Sequence, residues 1–93
     1  MRWEPFDPTR LIALARSQHP AEPWLPAALS RCTICRREAR GYLHFVDLDA
    51  GEAAEDDWDF DRNIVLTDPE QGEVVLDVLT GHRVSGADFR RFV

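Results

Sequence analysis

The residues best suited to chemistry are the two cysteines of the chain, Cys32 and Cys35, which stand in a C-x-x-C spacing. Thiolates at this spacing bind zinc when a tight turn points both sulfurs inward, and a structural zinc site takes about four ligands. His19 and His44 would complete such a set, with a carboxylate or a residue of a second chain as the alternative source. One prediction is therefore a zinc site formed by Cys32, Cys35, His44 and His19.

The same two cysteines also fit one face of a helix. A helical pattern runs from Pro26 to about Arg40, and Gly41 is a natural residue to end it. Cysteines three residues apart share a helix face, and unpaired cysteine is among the most buried residue types. Buried helical thiols are favoured over zinc, because a zinc turn would interrupt this helix. A redox pair is disfavoured, because its first cysteine should lie at a helix N-terminus.

An acidic segment with two aromatic residues is the second candidate site. Asp57, Asp59 and Asp61 alternate with Trp58 and Phe60. The order D-x-D-x-D resembles the start of a calcium loop, but the glycine of the sharp turn and the final glutamate are missing. If the aromatic side chains are exposed, they would anchor a partner and the acids would steer it. If both are buried, the segment is a solvated loop with an inward-facing apolar side.

Signatures of catalysis are missing from the sequence. None of the motifs of nucleophilic hydrolases, phosphate-binding loops, dinucleotide-binding folds or zinc proteases occurs. His82, in a T-G-H-R turn, could act as a general base with Asp77 or Asp88. A turn histidine in so short a chain is more often only solvent-exposed, and the length leaves little room for a substrate pocket. The sequence predicts a protein that is not an enzyme.

Two helices are expected in the first half of the chain. Asp7 is a suitable N-cap and Pro8 a suitable first residue for a helix that ends near Ser17. A connector with regularly spaced prolines follows, anchored by Trp24. The second helix is the one that would contain both cysteines.

The second half favours strands. The alternation in YLHFVDLD predicts one strand, and NIVLTD and EVVLDVLT, joined by the turn DPEQG, predict a β-hairpin. After a second tight turn, RVSG could extend the sheet, and SGADFRRFV predicts a short C-terminal helix, with a terminal strand as the alternative. The expected fold is α+β: two N-terminal helices packed on a small, mostly antiparallel sheet of about three strands.

Length and composition point to one domain over residues 1–93. A chain of 93 residues with 44% hydrophobic residues can fill one core but not two. Its apolar runs are shorter than the ~18–20 residues that cross a bilayer. The first residues lack the apolar stretch of a secretory signal, so we expect a cytoplasmic protein with reduced thiols.

The charge distribution bears on the kind of partner. The net charge is −6, but residues 1–46 carry +3 and residues 47–93 carry −9. Such an acidic chain disfavours nucleic acid and suits a basic protein partner, or a homodimer that pairs the two unlike halves. The sequence thus predicts a non-catalytic interaction or regulatory domain that binds a protein partner. The alternative is a small zinc-stabilised domain.

Overall fold

The computed structural model describes residues 3–39, 41–45 and 60–90. In chain order its elements are β1 (Glu4–Pro5), α1 (Thr9–Gln18), α2 (Trp24–Ser30), β2 (Ile34–Ala39), β3 (Tyr42–Phe45), β4 (Phe60–Asp68), β5 (Gly72–Leu79) and β6 (Arg83–Phe89). The six strands form one sheet in the order β1-β2-β3-β6-β5-β4, and every neighbouring pair is antiparallel. The fold is broadly of the expected α+β class, but the prediction of about three strands is wrong.

The predicted long second helix is the first source of that error. The helix ends at Ser30, whose hydroxyl donates to the carbonyl of Ala27. Thr33 and Ile34 are β-branched and favour extended backbone, and β2 begins at Ile34. Gly41 does not end a helix: its positive φ of 79° serves the turn between β2 and β3. Over the described residues, the prediction that Cys32 and Cys35 lie in one helix is therefore wrong.

The predicted C-terminal helix is the second source of error. Arg83–Phe89 form β6, which lies between β3 and β5 and therefore has a hydrogen-bonding partner on both sides. Gly86 allows the ring of Tyr42 to lie across β6, because a Cβ at this position would collide with the phenol hydroxyl. The alternative of a terminal strand is correct for these residues. Residues 91–93 of the predicted helix lie outside the described residues.

The predicted hairpin between β4 and β5 is confirmed. The two strands pair from Phe60 with Leu79 to Asp68 with Gly72, with one irregularity near Phe60. Inward-facing residues alternate along both strands, as expected for a sheet with one buried face. Both helices contact the sheet, and the core contains Leu11, Ala15, Leu25, Leu29, Leu66, Val74, Leu76 and Val78 among its buried side chains.

An ion pair between the exposed Arg10 and the buried Asp68 ties α1 to the hairpin. Asp68 is only 1% exposed and accepts hydrogen bonds from Nε and Nη2 of Arg10, the latter at 2.8 Å. It also accepts the amide of Glu70 at 2.8 Å, which closes the turn after β4. The hydrogen bonds from Arg10 hold the pKa of Asp68 well below its usual range. The carboxylate thus fixes both the turn and the position of α1.

Candidate functional site

One aromatic residue of the expected docking segment, Phe60, lies at an edge of the sheet. Phe60 is the first residue of β4, the last strand in the sheet order, and 58% of its surface is exposed. Asp61 is exposed beside it. Asp57, Trp58 and Asp59, the other residues expected to bind a partner, lie outside the described residues.

The far end of the same edge is covered by side chains from the end of α1. Nε2 of Gln18 donates to the carbonyl of Thr67 at 2.7 Å, and its Oε1 accepts the amide of Thr67 at 2.8 Å. Nε2 of His19 lies 2.7 Å from the carbonyl of Val65. These are backbone groups that point away from β5, where a further strand would bind. We call Val65–Thr67 the covered half of the edge.

The start of β4 has no such cover among the described side chains. Arg62 pairs instead with Glu22 at 2.7 Å and lies 6.0 Å from the ring of Trp24. The side-chain amide of Asn63 donates to Asp77 at 2.7 Å, so it also turns towards its own sheet. Phe60 and Asp61 remain directed to solvent, and this open start of the edge can meet a partner with both an aromatic and an acidic group.

Both cysteines are buried and are thiols rather than partners in a disulfide. Cys32 follows α2, is 3% exposed, and its Sγ lies 3.6 Å from the carbonyl of Ala28. Cys35 lies on β2, is 2% exposed and faces the core. Burial raises the pKa of the Cys35 thiol, and the nearby Glu4 carboxylate adds to this effect. Cys35 is therefore a protonated, unreactive thiol at neutral pH.

The two histidines expected to join the cysteines lie elsewhere. On β3, Leu43 and Phe45 are buried while His44 between them points to the other face, near the ring of Trp3. His19 is held at the edge strand as described above. Over residues 3–39, 41–45 and 60–90, no group of three or more His, Cys, Asp or Glu side chains is placed to hold a metal ion. The zinc site stays a prediction, and this geometry adds no support for it.

A polar cluster on the uncovered face of the sheet was missed at the sequence level. Asp77 accepts hydrogen bonds from the Tyr42 hydroxyl at 2.6 Å and from the Asn63 amide at 2.7 Å. Burial, followed by the hydrogen bond to Asp77, raises the pKa of Tyr42, so the phenol stays protonated. The one local sequence signal for this cluster is Gly86 in β6, which leaves room for the Tyr42 ring to cross that strand. The three polar residues themselves come from different strands, so their proximity has no local signal. The cluster locks three strands together rather than preparing a base.

The histidine considered as a general base has a packing role. His82 lies in the β5–β6 turn with a positive φ of 59°, and its ring stacks on Trp24 with centroids 4.3 Å apart. The indole nitrogen of Trp24 donates to Glu22 at 2.5 Å. His82 therefore joins this turn to the start of α2.

Comparison with known proteins identifies no related family, protein or structure. No family model matches the chain, and no match appears among the curated proteins or the solved structures. None of the helices in the described part of the chain has the length and apolar character needed to cross a membrane.

Proposed function

We propose that this protein is a non-catalytic interaction domain that binds a basic protein partner at the open start of β4. The observation that carries the proposal is the 58% exposure of Phe60 at a sheet edge, directly beside the exposed Asp61. Large aromatic side chains dominate binding energy when a partner buries them, whereas rim charges mainly steer the encounter. The charge of −9 over residues 47–93 makes a basic partner the natural complement.

The proposed compartment is the cytoplasm. Both cysteines are thiols outside any disulfide, and reduced cysteines are the ordinary state in that compartment. A partner with basic side chains around an apolar pocket would bury Phe60 and face Asp61.

The test compares three variants of the full chain. The wild type and the Phe60→Ala, Asp61→Asn and Val65→Ala variants are immobilised, and captured lysate proteins are quantified by mass spectrometry. The best differential candidate is then purified and its affinity measured at two salt concentrations. Val65 is the matched control, because it is an exposed apolar residue (42%) on the same strand but in the covered half.

We expect Phe60→Ala to weaken binding roughly 5- to 30-fold, the usual cost of truncating an aromatic anchor. Asp61→Asn should weaken it only about two- to fivefold and should flatten its salt dependence. Val65→Ala should bind as the wild type does. Equal binding by the wild type and Phe60→Ala, with both proteins folded by circular dichroism, would refute the proposal.

A further inference from the structure

A concave site lies away from the open start of β4. A cavity of about 570 Å³ opens beneath the start of α1, between β1, the β2–β3 turn and the end of β6. Its walls include the apolar side chains of Phe6, Leu11, Cys35, Leu43 and Phe89. Small-molecule sites typically have volumes of about 300–1,000 Å³ and mostly apolar walls with a few polar groups. The cavity has these properties, and none of its lining residues belongs to β4.

The two arginines at the rim are already paired. Arg10 binds the buried Asp68 and lies 3.4 Å from Glu70, and Nε of Arg37 lies 3.1 Å from Glu4. An anionic ligand would have to compete with these carboxylates for either guanidinium. The rim therefore discriminates against a carboxylate or phosphate.

The remaining charged group of the cavity wall is Asp7. Its Oδ1 accepts the amide of Thr9 at 3.0 Å and the hydroxyl of Thr9 at 2.6 Å. These hydrogen bonds lower the pKa of Asp7, so it is ionised at neutral pH. No arginine or histidine of residues 3–39, 41–45 and 60–90 forms an ion pair with it. When the partners of the rim arginines are included, the site has two guanidinium groups and four carboxylates. The carboxylates are Glu4, Asp7, Asp68 and Glu70.

We propose that this cavity binds a small organic cation: an amine carried on an aromatic or branched apolar body. The apolar body would lie between the rings of Phe6 and Phe89, and the ammonium group would face Asp7 at the rim. Aromatic walls suit such a ligand because they pack against its body and also attract a cation over the ring face. The site is separate from the proposed docking edge and does not depend on it.

The test uses three probes of nearly the same shape and different charge: phenethylamine, 2-phenylethanol and 3-phenylpropionate. Each is titrated into the labelled protein, and backbone amide shifts are followed by NMR. For ligands this small, dissociation constants on the order of millimolar are expected. The amine should bind most tightly and the carboxylate least, and the shifts should centre on Leu11, Leu43, Gln71 and Phe89.

Two charge variants and one edge variant complete the experiment. Asp7→Asn removes the charge but keeps an oxygen for the Thr9 hydrogen bonds, and it should weaken amine binding about two- to fivefold. Glu73→Gln, an exposed acid outside the cavity, should leave it unchanged, as should Phe60→Ala. The proposal is overturned if the shifts fall elsewhere, if the carboxylate binds as well as the amine, or if Asp7→Asn has no effect.

Discussion

Replacing Gln18 by alanine should release the outer edge of β4 at one residue. The wild-type side chain makes two hydrogen bonds with Thr67, at 2.7 and 2.8 Å, and both residues are exposed. A net hydrogen bond contributes about 0.5–1.5 kcal/mol, and here the lower value applies to each because water can replace both partners. The better helix propensity of alanine returns a few tenths of a kcal/mol. We therefore expect a loss of about 0.5–1 kcal/mol in the free energy of unfolding.

Amide hydrogen exchange measures the loss of this hydrogen bond directly at the Thr67 amide. In the wild type, the Thr67 amide is bonded to Gln18, while Leu66 and Asp68 belong to the pairing with β5. In Gln18→Ala, the Thr67 amide should exchange about two- to fivefold faster, because only water then accepts its hydrogen bond. Exchange at Leu66 should change only by the small global loss of stability.

Gln18→Glu is the matched control for this experiment. It keeps an oxygen for the Thr67 amide but loses the donor for the Thr67 carbonyl, so protection of the amide should persist. If Thr67 exchanges at the same rate in the wild type and in Gln18→Ala, the edge contact does not exist in solution and the reasoning is wrong.

The double variant Gln18→Ala/His19→Ala extends the same argument to association. It frees the carbonyl of Val65 as well, which leaves a longer row of unpaired backbone groups on an edge strand. We expect concentration-dependent self-association in sedimentation velocity, with the exposed neighbour Ser17→Ala as the control. A double variant that sediments like this control at every concentration would show that these side chains do not limit edge pairing.

Two further perturbations test the cysteine pair and the buried carboxylate. Cys35→Ala should stay folded, lose about 1 kcal/mol of stability for the removed buried atom, and respond to a zinc chelator no more than the wild type does. Stoichiometric zinc in native mass spectrometry, with unfolding of this variant, would instead establish the zinc-stabilised domain. The hydrogen bonds from Arg10 lower the pKa of Asp68 in the folded state. Ionised Asp68 therefore stabilises the fold at pH values above its unfolded pKa of about 3.9. This stabilisation is lost as the pH falls through the lower folded pKa. Asp68→Asn should therefore be less stable near neutral pH and should lose less stability on acidification, as measured by urea unfolding from about pH 7 down to pH 2; parallel curves for the two proteins would contradict this role.

The parts of the fold that follow from nearby residues were predictable. The β4–β5 hairpin has alternating apolar residues on both strands and a turn with Pro69 early and Gly72 late, so a short segment contains its whole signal. The first helix also begins within a residue or two of its expected start, with Asp7 bonded to Thr9.

The parts that depend on distant pairing were not predictable. Cys32 and Cys35, three residues apart, fit a helix face as well as a turn followed by a strand. What selects the strand is pairing of Cys35 with Glu4 on one side and with Phe45 on the other. Similarly, β6 is stabilised by two neighbouring strands that its own sequence cannot reveal. The exposed edge at Phe60 follows only from this strand order, because inserting β6 between β3 and β5 leaves β4 outermost.

The two edges of the sheet are protected in different ways, and this difference supports the location of the proposed docking site. At one edge, β1 has only two residues and includes Pro5, which lacks an amide hydrogen to offer a further strand. At the other edge, β4 has nine residues, too long to be protected by shortness. Gln18 of α1 and the following His19 cover Val65–Thr67, and the described side chains give no such cover to the start of the strand. Among the described residues, the cover of this edge ends before an exposed phenylalanine and its acidic neighbour. This fits a surface kept open for a partner better than one closed against all strands. A partner strand that pairs along β4 should therefore bind Gln18→Ala more tightly than the wild type, whereas a partner that only buries Phe60 should bind both proteins equally.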